Sequence, residues 1–305
     1  MILETSDLEY IDCNLCGSKS HSLFLPANTD FSQISANALA CTSIHHSKHG
    51  PIVRCNNCGL IFANPRPSPQ KIIEIYRQVE DHVYLAEEEG RVATFKNNLA
   101  EISRYKRKGK LLDVGCHVGT FLDIAKDYGY EVYGLEPSKW AAEYCRNKRN
   151  IEVQECGLSE ANLEDSSFEV ITMWDVIEHL TDPYKELRRA NSLLRDDGIL
   201  AITTMNVDSV FAKVLGKHYP WYMLMHLYYF TPDTMEKILG KSGFRILEIK
   251  HHIRVVSLRY LFSKIKAYSP AAYRAAHTVA HLLKIHDLKV PLNFGDIMTV
   301  IARKI

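Results

Sequence analysis

The sequence predicts an α/β fold: a Rossmann-like sheet with helices on both faces, preceded by a small N-terminal cysteine ribbon. Three stretches carry this expectation. Lys110 to Ser138 reads as strand, glycine turn, helix and second strand. Phe168 to Leu180 reads as a buried strand that runs into titratable side chains. Ahead of both stand two knuckles, Cys13-x-x-Cys16-Gly17 and Cys55-x-x-Cys58-Gly59.

In the first stretch Leu111, Leu112 and Val114 form a short apolar run around Asp113, which opens the pattern Asp113-x-Gly115-x-His117-x-Gly119. Phe121, Leu122, Ile124, Ala125 and Tyr128 then recur at helical spacing until Gly129 stops them. The next strand, Glu131 to Leu135, ends on Glu136, twenty-one positions beyond Gly115. Glycines let backbone approach a ligand at a helix N-terminus, where unpaired N–H groups favour negative charge. A carboxylate closing the following strand accepts both hydroxyls of a ribose. The expected ligand is an adenosine that carries something anionic.

Nicotinamide binders use G-x-G-x-x-G, and this spacing differs. It resembles the first motif of the class I S-adenosylmethionine methyltransferases, usually D-x-G-x-G-x-G, with His117 in the middle glycine position. The Phe168 to Leu180 stretch strengthens the resemblance. In an open α/β sheet ligands lie at the carboxyl ends of the strands, and this end carries Trp174, Asp175, Glu178 and His179. Its wording, D-V-I-E-H-L, looks like the fourth motif of small-molecule methyltransferases, including the ubiquinone-biosynthesis O-methyltransferase relatives. It does not look like the N-P-P-Y loop of enzymes that methylate flipped bases. The resemblance implies S-adenosylmethionine as cofactor, held by Asp113, Gly115, His117, Gly119, Glu136, Pro137, Trp174 and the Gly157-Leu158 turn. Cys156 stands where the family places an acidic adenine contact, so adenine recognition is expected to lean on backbone.

The knuckles are separated by residues 17–54. Each sets two thiolates on one side of a tight turn, and together Cys13, Cys16, Cys55 and Cys58 close a tetrahedral structural zinc site. Cys41, His45, His46 and His49 lie between them and offer alternative ligands. A closed site of four thiolates leaves no open position for substrate, so this zinc staples a ribbon.

At 305 residues and 46% apolar content the chain is long enough for one large domain and a small one. The expected division is a zinc ribbon over 1–67, a helical lid over 68–109, and a Rossmann-like domain over 110–305 with a helical insertion about 255–292. Net charge is +1, which supplies no field for nucleic acid. Residues 104–110 and 146–149 are local basic runs only. Met1 to Tyr10 lacks a secretory signal, and no apolar run approaches eighteen residues. A cytoplasmic protein with reduced or metal-bound cysteines is expected.

Ser68-Pro69 starts a helix with Ile72, Ile73, Ile75, Tyr76 and Val79 inside. A polar stretch, Glu80 to Gly90, precedes a second helix over about 91–108, and Tyr76, Tyr84 and Phe95 are available to cover a ligand. Ser138, Asp182 and Thr231 cap later helices. Trp221 to Phe230 is too aromatic for an exposed loop and forms a pocket wall, with His226 its titratable group. The Val255 to Leu292 excursion is amphipathic; it rests on the domain, on a second subunit to give a homodimer, or peripherally on a membrane surface.

A sulfonium methyl is already electrophilic, so the protein must align the acceptor and take its proton. His179 is the first candidate base and His226 the second. Asp175 and Glu178 orient the histidine or hold a divalent cation on a diol. The function expected is methyl transfer to the hydroxyl of a small-molecule or glycan-linked acceptor such as a sugar or natural product, with no nucleic acid as partner. The rivals are a zinc-ribbon nucleic-acid methyltransferase or RNA-binding module, and a cofactor-binding protein without turnover.

Overall fold

A computed structural model describes residues 7–29, 47–259, 261–262, 270–283, 285 and 288–305. Cys41, His45 and His46 lie outside the described residues, as do residues 263–269, 284, 286 and 287 of the expected insertion. Seven strands make the central sheet: β1 (Gly109–Val114), β2 (Tyr130–Leu135), β3 (Val153–Gln154), β4 (Phe168–Trp174), β5 (Leu194–Met205), β6 (Phe244–His251) and β7 (Ile297–Lys304). Their order is β3-β2-β1-β4-β5-β7-β6. β1 to β5 pair in parallel, and β7 runs antiparallel between β5 and β6. The order reverses between β1 and β4. In open α/β sheets the ligand crevice lies at such a switch point, outside the carboxyl ends of the two strands.

Side-chain alternation divides the sheet's two faces. Leu112, Val114, Ile171, Met173, Leu200 and Ile202 point to one side, where they meet α6 (Pro183–Leu193) and the helix Pro232–Lys241. Leu111, Val170, Ile199 and Ala201 point to the other, against α3 (Glu88–Ser103) and α4 (Thr120–Asp127). Strands covered on both faces read as near-continuous apolar runs, which is why β4 is legible as buried. Each of these fully buried branched side chains contributes about 1.5–3 kcal/mol.

The predicted caps form. Ser138 accepts from the Ala141 amide at 3.2 Å and opens α5 (Lys139–Tyr144). Asp182 accepts from Lys185 at 3.0 Å, and Thr231 makes a capping box with Thr234. One boundary differs from expectation. The acid-rich 80–90 stretch is helical, containing α2 (His82–Ala86) and the start of α3, because Asp81 caps the first turn by accepting from the Tyr84 amide at 3.1 Å. The helix after Ser138 loosens at Cys145 into a π turn, Cys145–Arg149, which ends on Asn150 at φ 52°.

The ribbon's strands His21–Leu25, Ile52–Cys55 and Ile61–Ala63 form an antiparallel sheet. Its fourth strand comes from far along the chain: Tyr228–Tyr229 pairs with Ile61 and Phe62. The aromatic run is therefore shared between ribbon and core. The first knuckle is clamped to the core as well. Asn14 donates to Asp182 at 2.7 Å and accepts from the Tyr184 amide, while Lys241 donates to the Leu15 carbonyl at 2.7 Å.

Candidate active site

Three residues after β1 adopt left-handed backbone: Gly115 (φ 70°), His117 (φ 49°) and Gly119 (φ 75°). The Gly115 and Cys116 amides both donate to the Leu135 carbonyl, at 2.7 and 3.0 Å, which folds the loop back over the end of β2. Gly115 has no room for a side chain, since a Cβ there would lie 2.7 Å from a methyl of Val176. The segment after β4 thus sits directly against the loop. His117 holds a conformation that a glycine adopts freely, at a cost of roughly 1–3 kcal/mol for a side-chain-bearing residue. Its amide donates to Glu136 at 2.8 Å, and its carbonyl accepts from the Cys145 thiol at 3.0 Å.

Glu136 closes β2 as expected, and each of its oxygens takes one backbone amide: His117 on one, Ser138 at 2.7 Å on the other. An ionised carboxylate offers about four lone-pair directions, so roughly one per oxygen remains, the pattern a vicinal diol needs. Burial pushes its pKa up to about 7, against the two amides. Asp113 lies deeper. It accepts from the Thr172 hydroxyl at 2.5 Å, and burial raises it to about 8, so it ties β1 to β4 as a buried acid. Gly157 has open space where a side chain would stand, Leu158 is buried, and Pro137 leads from Glu136 to the Ser138 cap.

Two buried polar atoms beside the crevice have no partner within the chain: His117 Nδ1 and Trp174 Nε1. An orphaned buried group costs about 1–3 kcal/mol. Such atoms at a strand end fit a site completed by a polar ligand, and with the lone pairs of Glu136 they fit S-adenosylmethionine. Above the loop, Tyr84 of α2 stacks on the His117 ring with centroids 3.8 Å apart, and Arg91 of α3 lies 3.6 Å from the Tyr84 ring centre. Arg149 anchors this cover by binding Glu88, Asp123 and the Val118 carbonyl together. Phe95 packs edge-on against Phe121, which in turn meets Trp174, so it belongs to the layer beneath.

Past β4 the structure gathers Glu178, His179 and His226, whose ligand atoms all lie within 4.8 Å of one another. His179 Nδ1 is 2.9 Å from the Met225 carbonyl and His226 Nδ1 is 2.8 Å from the Trp221 carbonyl. A carbonyl only accepts, so both protons sit on Nδ1 and both Nε2 atoms carry the lone pair. The rings meet edge to face at 4.8 Å. Burial holds His179 below the usual histidine pKa, opposed by the Met225 bond and the Asp175 charge. The Tyr76 hydroxyl of α1 (Pro69–Arg77) lies 3.0 Å from the same Nδ1.

Glu178 is 1% exposed and accepts from Thr204 at 3.0 Å; burial, aided by Asp175, raises it to about 8. Asp175 is placed differently. It has left-handed backbone (φ 55°), accepts from the Thr203 hydroxyl at 3.0 Å and forms an ion pair with Arg254. Asp175 and Glu178 therefore engage separate partners. Sequence spacing carries no signal for Arg254, Thr204 or the Met225 carbonyl, which arrive from other segments, whereas the Trp221 carbonyl lies in the same aromatic run as His226.

The four knuckle sulfurs converge equally closely, within 4.8 Å, with Cys13 to Cys58 at 3.4 Å and Cys16 to Cys55 at 3.5 Å. Zinc–sulfur bonds of about 2.3 Å put tetrahedral sulfurs roughly 3.8 Å apart, so the set fits that ion. Burial pushes the Cys16 thiol up, but hydrogen bonds with Asn57, the Ser18 backbone and the other thiols bring it to about 6. His49 is not part of the cluster; its Nδ1 faces the Gly50 carbonyl at 2.7 Å. Half of the basic side chains in those runs pair with acids: Arg104 with Glu101 and Glu248, Lys110 with Glu131, Arg146 with Glu155, and Arg149 with Glu88 and Asp123. Among the described residues no helix is long and apolar enough to cross a membrane.

The methyltransferase domain family matches residues 84–249, just over half of the chain. The ubiquinone biosynthesis O-methyltransferase of Azorhizobium caulinodans is 26% identical over 152 residues, covering 46% of this chain and 60% of that protein. A probable S-adenosylmethionine-dependent methyltransferase of Mycobacterium tuberculosis is 30% identical over 97 residues, 32% of this chain and 35% of its own length. The chain spans less than two thirds of the length of either relative. Among solved structures, a SAM-dependent methyltransferase from Archaeoglobus fulgidus aligns over 73% of this chain and all of its own, at TM-score 0.49 and 22% identity. The Burkholderia thailandensis 1,6-didemethyltoxoflavin-N1-methyltransferase, with S-adenosylhomocysteine bound, aligns over 82% and 97% at TM-score 0.49 and 17% identity.

Proposed function

This chain belongs to the methyltransferase domain family, and from that premise we propose that it transfers a methyl group from S-adenosylmethionine to a hydroxyl of a small-molecule or glycan-linked acceptor. The observation that carries the proposal is one contact. Val176, between Asp175 and His179, touches Gly115, so the loop that would hold the cofactor and the cluster that would hold the acceptor share one crevice.

Gly115, His117 and Gly119 cradle the cofactor's amino-acid end, Glu136 takes the ribose hydroxyls, and Trp174, Gly157 and Leu158 line the adenosine. S-adenosylmethionine, when bound, supplies a methyl group on a cationic sulfur. His179 and His226 present Nε2 as bases, because carbonyls hold their Nδ1 protons in place. His179 accepts the acceptor's proton, and its Nδ1–H bond to Met225 steadies the resulting charge. Glu178, held protonated near neutrality by burial, donates a hydrogen bond to the acceptor. Asp175 and Arg254 hold the rim in shape. Oxygen is preferred over carbon as acceptor because two buried bases suit a hydroxyl, and because the Azorhizobium relative is named as an O-methyltransferase.

Zinc on Cys13, Cys16, Cys55 and Cys58 completes the reading as a structural cross-link between the first knuckle and the ribbon sheet, remote from turnover. Calorimetric titration with S-adenosylmethionine, followed by mass spectrometry with phenols, sugars and nucleotide sugars, tests the assignment. Saturable cofactor binding and a singly methylated product are expected. Failure to bind cofactor at millimolar concentration overturns the proposal.

A further inference from the structure

We propose that His117 determines cofactor specificity: its imidazole, standing where the family motif has a glycine, hydrogen-bonds the α-amino-acid end of the cofactor, and Tyr84 stacks on that imidazole to close α2 over it. The inference rests on the S-adenosylmethionine reading given above and names the chemistry of one end of that site.

Four observations support it. The backbone at His117 takes the left-handed conformation that glycine would, so the side chain is an addition to an otherwise ordinary loop. The added ring is not turned out to solvent. It lies between Tyr84, at 3.8 Å and 32°, and Trp140, edge-on at 6.0 Å. Its Nδ1 is buried and has no partner within the chain. Burial lowers the histidine pKa to about 4, so the ring is neutral and, by choice of tautomer, either donates to a carboxylate or accepts from an ammonium.

The lid half follows from the stack. His117 and Arg91 each lie within 4 Å of the Tyr84 ring centre, and two groups that close cannot share a face. Tyr84 is thus sandwiched between the glycine loop and α3. Asp81 fixes the start of α2 through the Tyr84 amide, and Ser138, just past Glu136, donates to the Val79 carbonyl at 2.9 Å. The cover is tied to the loop at the ring and to the end of β2 at its base. A ligand group that meets His117 Nδ1 therefore orders the surface on which Tyr84 rests.

The test compares S-adenosylhomocysteine with 5′-methylthioadenosine, which keeps the adenosine and lacks the amino-acid end. Both are titrated calorimetrically against the wild-type chain, His117→Gly, His117→Asn and Tyr84→Ala. His117→Gly should weaken S-adenosylhomocysteine by about tenfold while leaving 5′-methylthioadenosine within about twofold. His117→Asn, which tolerates the left-handed backbone and keeps a polar group, should recover part of the loss. Combined with Tyr84→Ala, His117→Gly should lose less than the two single changes predict together. Equal effects on both ligands, or none on either, overturn the inference and leave the enzyme reading intact. If the wild-type chain binds neither ligand, both readings fall.

Discussion

Among the described residues, two clusters of ligand-type side chains each bring their donor atoms within 4.8 Å. The difference between them is in what surrounds the donors. Around Cys13, Cys16, Cys55 and Cys58, hydrogen bonds from backbone groups of Leu15, Cys16, Ser18 and Leu60 reach the sulfurs and favour their charged form. Burial and the neighbouring sulfurs oppose this at Cys13 and Cys58, whose thiols are held above their ordinary pKa, so the set reaches its charged form with a cation among the sulfurs. Around Glu178, His179 and His226 the opposite holds. Carbonyls fix each ring proton, and burial keeps the carboxyl neutral. Proximity of ligand atoms alone does not define a metal site; the proposed staple and the proposed bases differ in the partners behind those atoms.

Breaking the staple should have the largest effect. Cys55→Ser is expected to lose the bound zinc, measured by elemental analysis, and to lower Tm by about 10 °C or more. The loss propagates because Asn14 and Leu15 tie the knuckle to α6 and Lys241. His179→Ala should do the reverse: zinc content and cofactor binding unchanged, kcat down by about 10²–10⁴. A fall in turnover on mild chelation, with zinc retained in the ribbon, would instead make the second cluster a metal site and dissolve the contrast.

The pH dependences sharpen it further. Because burial depresses the His179 pKa, the acid limb of kcat/KM should fall below the ordinary histidine value of about 6.5. Glu178 runs the other way. Its folded pKa, about 8, exceeds the ordinary 4.5, so the folded state binds the extra proton and stability falls as pH rises between those values. Glu178→Gln should therefore flatten that slope, with a gain of the order of a few kcal/mol at pH 8 over the gain at pH 5, read by chemical denaturation. The smallest change is Tyr76→Phe, which removes the hydroxyl beside His179 and should cost about 0.5–1.5 kcal/mol in kcat/KM.

Much of this can be read from the chain before any coordinates. The knuckles, the glycine loop, Glu136 and the titratable end of β4 are local patterns, where chemistry and spacing lie within a few residues. The helical nature of residues 82–86 is hidden because its cap, Asp81, sits in an acid-rich stretch that reads as polar loop. The aromatic run 221–230 is legible as buried, yet its pairing with Ile61 and Phe62 is not, since strand partners some 160 residues apart leave no periodic trace.

What the sequence determined by itself was the inventory: a βα unit with a glycine turn and an acid after the next strand, paired thiols, and two histidines. Spacing along the chain suffices for these because each motif is built by neighbours. Tertiary structure alone decided the states of those groups. Which nitrogen carries the proton in His179, why Glu178 stays neutral while Asp175 pairs with Arg254, and how Tyr84 comes to rest on His117 depend on carbonyls, burial and rings from distant segments. Protonation and stacking are set by the local field and dielectric, and those exist only once the chain has closed around them.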